Sequence, residues 1–296
     1  MPVLLRIGGY AALAISIYLF ARRIDAVALG RALRQARPAL LILAVLLSLS
    51  QLACRGNFFR TLVVPLTRLS WLRAQRLTVA SSAVAAFLSG RAGDLVRAYA
   101  LKRDAGVPVA ASVAVLGVEK ILDLTALFLV LAPVAFLLPG LPMWAARAMP
   151  WLAALVAGSL LVAWVLASRP RPPRWLASFH AGLHIVRRPA LLARATAECA
   201  AGWLFNLACL YAVMGAFGVV PSLGHGLLVL LATTVAVALP LTPGGIGTFQ
   251  LAVLAALEPL GVPVEVGVAL GLVFQLAQVT PTAALAAIEG RLLPSS

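Results

Sequence analysis

Gly106-Val107-Pro108-Val109 occurs a second time, 155 residues later, as Gly261-Val262-Pro263-Val264. About 14 residues upstream of each copy lies a glycine-rich stretch, Gly90-Arg91-Ala92-Gly93-Asp94 in the first case and Gly244-Gly245-Ile246-Gly247-Thr248 in the second. Leu52-Ala53-Cys54 and Leu207-Ala208-Cys209 recur at the same interval. A fixed internal period of this length implies two related halves. In a membrane protein, related halves point to a transport-type fold with its site at their interface.

Working outward, the composition sets the class. The chain is 62% hydrophobic and 11% charged over 296 residues, with a mean hydropathy of +1.02. A water-soluble domain cannot bury that much apolar surface. Several stretches approach or exceed the roughly 20 apolar residues that cross a bilayer as a helix. The expected class is therefore all-α and polytopic, and nothing shows the alternation of a membrane β-barrel. The net charge is +15, and 22 of the 24 basic residues are arginine. They flank apolar stretches and are not interleaved with aromatics, so membrane topology explains them and nucleic acid does not.

The sequence predicts six full spans, near residues 3–20, 39–60, 108–138, 151–167, 198–220 and 263–288. Residues 3–20 lack a convincing cleavage site and are followed by Arg22 and Arg23, which reads as a retained span and not a signal peptide. Residues 24–37 have the amphipathic pattern of an interfacial helix, and 168–194 form an Arg- and Pro-rich linker. Residues 77–90 are too short to cross and lie between two basic segments. They are expected to enter and leave by one face, as a re-entrant hairpin. Residues 226–261 hold no Lys or Arg and read as a second hairpin, entering from the opposite side. Three spans separate the two turns, so the halves, 1–140 and 148–296, are expected to be inverted copies within one transmembrane domain. Lys/Arg asymmetry predicts both termini on the cytoplasmic side, and the expected membrane is a bacterial inner membrane. The five arginines between Arg22 and Arg37 run against that scheme.

The polar residues inside this apolar chain carry the chemistry. In Gly90-Arg91-Ala92-Gly93-Asp94-Leu95-Val96-Arg97 the glycines permit a sharp turn, and free N–H groups at the next helix start favour anions. Arg91 and Arg97 add charge suited to a phosphate headgroup; the alternative is a plain turn with Asp94 as a helix cap. Pro240, Pro243, Gly244, Gly245 and Gly247 mark the second turn, and Gln250 follows where it can bond a headgroup or cap a helix. Glu119, Lys120 and Asp123 lie mid-span, Glu119 and Asp123 on one helix face. A mid-bilayer charge costs at least ~2.5–3.5 kcal/mol, so these groups line a site or form a structural ion pair. Gln275 and Gln278 take the places of Lys120 and Asp123 in the second half.

Cys54, Cys199 and Cys209 read as small core residues, and His180 and His184 as part of an interfacial helix. No metal and no cofactor is expected. The chain has no G-x-S-x-G, H-E-x-x-H or P-loop sequence, and no enzyme activity is expected.

Residues 90–99, 118–124 and 239–250 resemble the lysylphosphatidylglycerol synthase transmembrane region, a flippase-like family, and the resemblance extends over about residues 3–290. It implies a lipid-translocating membrane module whose partners are membrane lipids with an anionic or phosphate-bearing headgroup. Synthesis of the lysyl lipid is not expected to carry over, because multidomain members place it on a soluble domain. Two other readings stay open: a transporter of a small water-soluble solute, and a membrane subunit for a separate lipid-modifying enzyme.

Overall fold

A computed structural model describes residues 26–87, 90–133, 143–168, 173, 176–238 and 247–292. Among these there are eleven α-helices and no strand. We number them α1 (Ala26–Gln35), α2 (Pro38–Val63), α3 (Trp71–Phe87), α4 (Gly90–Ala105), α5 (Val109–Leu131), α6 (Met143–Ala167), α7 (Ala177–Gly182), α8 (Pro189–Ala216), α9 (Leu223–Ala238), α10 (Thr248–Leu257) and α11 (Val264–Leu292).

Among the described residues, four helices are long and apolar enough to cross a membrane: Pro38–Val63, Ala146–Ala167, Pro189–Ala216 and Val264–Ile288. They correspond to four of the six expected spans. The first expected span, 3–20, lies outside the described residues. The third appears as α5, whose 23 residues are of spanning length but carry three charges near the middle. Two boundaries move. The helix expected at 151 starts at Met143 and runs through Pro150, and the one expected at 198 starts at Pro189. Proline at a first helical position lacks only an N–H that would have no intrahelical partner, so Pro189 begins α8 without cost.

The core is an antiparallel pair, α2 against α8. At one end the Arg37 N–H donates to the Ala216 carbonyl (3.0 Å). At the other, the Thr61 hydroxyl donates to Glu198 (2.7 Å). Between them Gly202 packs on Cys54, the small-residue contact that lets membrane helices approach. Phe58, Phe59 and Leu62 of α2, Leu210 and Met214 of α8, Leu122 of α5 and Phe274 of α11 fill the centre. Both cysteines in α8 are buried, and no disulfide forms among the described residues.

The α2–α8 pair defines two ends of the bundle. The α3–α4 hairpin leaves α2 and rejoins α5 at the Glu198 end, where Arg73 of α3 meets Asp104 of α4 (3.0 Å). α9 leaves α8 at the Ala216 end, and α11 begins there: Arg37, Phe217, Pro263 and Glu265 line one groove of about 470 Å³. α1 packs on α11 at that same end.

Residues 90–94 correct the sequence reading. They are helical, the opening of α4, and not a turn. Asp94 therefore sits inside the helix instead of capping it. Gly93 is needed for approach: a β-carbon there would collide with the Ser81 carbonyl of α3. A missing side chain serves a turn and a close helix contact equally, and the sequence does not separate the two. In the linker, His180 is buried and its Nε2 lies 3.2 Å from the Ala167 carbonyl, while Gly182 seats α7 on Ala111. The linker is thus packed against α5 and α6.

Candidate functional site: a neutral polar seam through an apolar bundle

α5 is uncharged except at Glu119, Lys120 and Asp123, and its neighbours answer each of the three differently. Glu119 is 5% exposed. Both its oxygens accept from the Arg97 Nη1 of α4, at 2.9 and 2.8 Å. The same guanidinium reaches Asp94 (3.4 Å) and lies 5.0 Å over the ring of Phe59. Arg97 is 9% exposed, and its Nε is buried without a hydrogen-bond partner among the described residues. Arginine suits this position because a delocalised guanidinium can stack on an aromatic face while its edge pairs with carboxylates.

Lys120 points elsewhere. Its side chain is 55% exposed, and its ammonium lies 3.4 Å from Asp94. Asp94 is thus shared between a buried cation and an accessible one.

Asp123, one turn beyond Glu119, joins α5 to α8 and α2. It accepts from the Trp203 indole N–H (3.0 Å) and the Cys199 thiol (3.3 Å), and lies 3.5 Å from Arg55. Arg55 also stacks over Trp203, 5.8 Å from the ring centre. Arg55 stands eight residues before the end of α2, inside the helix, which continues to Val63. Trp203 and Phe59 gave no signal in the sequence, because an aromatic in an apolar helix reads as core until its partner is known, and Glu198 falls at the edge of an expected span. Glu198 accepts from Thr61 and from Arg194 (2.9 Å).

Together Arg55, Arg97 and Lys120 face Asp94, Glu119 and Asp123, an equal number of positive and negative groups. Charges at membrane depth persist only when paired, and this set is balanced.

The second half has an uncharged counterpart. Gly247 opens α10 at φ +86°, a left-handed value that favours glycine. Its N–H donates to Gln250 Oε1 (2.7 Å), so Gln250 caps the helix. The other end of that amide donates to Gln275 of α11 (2.7 Å). Gln278 is half-buried, one turn further along α11. Gly271 lets α11 approach the backbone of Gln250. Pro243, Gly244 and Gly245 lie outside the described residues, as does the side chain of Arg91, whose backbone is in the first turn of α4.

A membrane bundle with this charged helix, and with the glycine-opened helices α4 and α10 packed beside α5 and α11, matches one family model, the lysylphosphatidylglycerol synthase transmembrane region, over residues 6–286. The chain belongs to that family. No curated protein matches it significantly. The family member described here is an integral membrane protein. Its described residues hold no group of three His, Cys, Asp or Glu side chains able to bind a metal.

Proposed function

We propose that this protein moves a phospholipid or polyprenyl-phosphate lipid between leaflets. The headgroup passes along the seam of α4 and α5 and between the two hairpins. The observation that carries this reading is the balanced set of charges on α4, α5 and α2 inside an otherwise apolar bundle, in a family named for a lipid synthase. A lipid tail needs no such groups; a phosphate headgroup crossing the bilayer does. Within the set, Arg97 and Glu119 hold each other and fix α4 on α5. Lys120 and Asp94 are the accessible pair, and Lys120 is the cation that can exchange its carboxylate for a passing phosphate.

Residues 1–140 and 148–296 act in this reading as an inverted repeat, each hairpin re-entrant from its own side, in a bacterial inner membrane with both termini cytoplasmic. Support comes from the opposite ends at which α3–α4 and α9–α10 join the bundle, and from the basic Glu198 end with Arg68, Arg73, Arg76, Arg187 and Arg188. Cysteines at Arg34 and Leu260 then label from outside and one at Arg103 from the cytoplasm. Labelling of all three from one side would sink the arrangement.

The direct test is reconstitution into liposomes with headgroup-labelled phospholipids. Lys120→Gln is expected to slow translocation by about tenfold, the scale of one lost charge-assisted contact. Unchanged translocation in a folded Lys120→Gln protein defeats the assignment. A second reading, a membrane subunit of a separate lipid-modifying enzyme without transport of its own, is favoured by the family's name. Co-purification with a soluble transferase, and no translocation by the isolated chain, would establish it instead. No catalytic role is assigned to the chain in either reading.

A further inference from the structure

The outer face of the first hairpin holds a groove of about 870 Å³ between α3 and α4. Its rim, at the base of the hairpin, carries Arg73, Arg76, Arg103 and Asp104. Deeper, towards the middle of the bundle, aliphatic side chains such as Leu77 and Leu95 line it. Leu95 is 67% exposed and Tyr99 65%, so the groove opens sideways from α4. Arg73 and Arg103 converge on one carboxylate, Asp104, at 3.0 and 2.7 Å. Two guanidinium groups that meet at one carboxylate can also meet at one phosphate. Arg73 and Arg103 against the one carboxylate they share leave a net positive charge there.

We infer that this groove holds one membrane phospholipid of net negative headgroup charge, its phosphate between Arg73 and Arg103 and an acyl chain along Leu77 and Leu95. The order of groups fits the depth of the bilayer, with arginines at the interface and aliphatic side chains towards the middle. A soluble phosphate compound would leave the apolar part uncovered. A zwitterionic lipid brings an amine that the arginines repel. The site lies outside the α5 seam, and binding there requires no translocation.

The test uses the full chain in a non-ionic detergent and counts retained lipid by native mass spectrometry. The probes are diacyl phosphatidylglycerol, diacyl phosphatidylcholine and soluble glycerol phosphate. Phosphatidylglycerol is expected to bind about tenfold more tightly than phosphatidylcholine, and glycerol phosphate not to displace it. Arg73→Gln with Arg103→Gln should weaken phosphatidylglycerol by about twenty-fivefold, at about fivefold per arginine. Asp104→Asn should tighten it, because it removes the carboxylate that competes for both guanidinium groups. That opposite sign separates binding from a structural role and needs no result from the double variant. Weaker binding in Asp104→Asn, equal retention of phosphatidylcholine, displacement by glycerol phosphate, or a dimer mass in place of bound lipid overturns the inference.

Discussion

The first hairpin is pinned to the long helix after it by charge, and the second by amides. Arg97 of α4 reaches Glu119 of α5 across 22 positions of sequence; Gln250 of α10 reaches Gln275 of α11 across 25. Each contact joins the second helix of a hairpin to the next long helix. Their energetics differ. An ion pair in a bilayer is tolerated only while complete, since each partner alone is a buried charge. An amide pair is neutral at every stage and tolerates loss. The charged half is therefore the brittle half, and its further members, Asp94 and Asp123 against Lys120 and Arg55, are balanced among themselves, so the set stays neutral only while every member is present.

The hardest test of that contrast is Glu119→Ala, which leaves Arg97 buried and without its main partner. A loss of about 3–5 kcal/mol is expected, enough to abolish a folded peak in detergent chromatography. Replacing both partners, with Arg97→Met and Glu119→Leu, should recover most of it; failure to do so would mean the pair does more than hold α4 in place. Next in size is Gly93→Ala, where the new methyl meets the Ser81 backbone; a cost of about 1–3 kcal/mol is expected in thermal unfolding. Gly271→Ala is its counterpart in the other half. There the neighbour is the Gln250 Cα at 3.1 Å, and a smaller loss is expected. Gln250→Ala removes a helix cap and a cross-helix bond, for about 1–2 kcal/mol, well below Glu119→Ala. If Gln250→Ala proves as damaging as Glu119→Ala, the contrast between the halves is wrong.

The smallest effect concerns pH. Hydrogen bonds from Arg103, and then from Arg73, hold the Asp104 carboxyl below its ordinary value. A lowered folded value means the contribution is complete above the unfolded carboxylate range, about 3.9, and is lost only as pH falls through the lower folded value. Melting curves from pH 7 to 5 should show no change from this group, and Asp104→Asn should remove an acid limb that appears below that range.

Much of the candidate site was visible in the sequence as isolated residues. Glu119, Lys120 and Asp123 stand out because a charge in an apolar run is rare. Gly93 and Gly247 stand out as breaks, though only Gly247 takes a conformation that calls for glycine. Partners were not visible. Trp203 reads as core, and Arg97 as a free phosphate ligand. Whether a cation is available or already held depends on what packs beside it, and those neighbours come from helices more than twenty residues away in the chain.

Membrane class, helical content and family membership followed from the sequence alone. Hydropathy and length decide what can lie in a bilayer, and local patterns survive without knowledge of packing. The tertiary structure decided the rest: that residues 90–94 open a helix, that Arg97 is committed to Glu119, that Lys120 stays accessible, and that an arginine-rimmed groove opens on α3 and α4. Each depends on which helix faces land together, and that is set by the close fit of α2, α4, α5 and α8 to one another, through contacts that no single stretch of the chain contains.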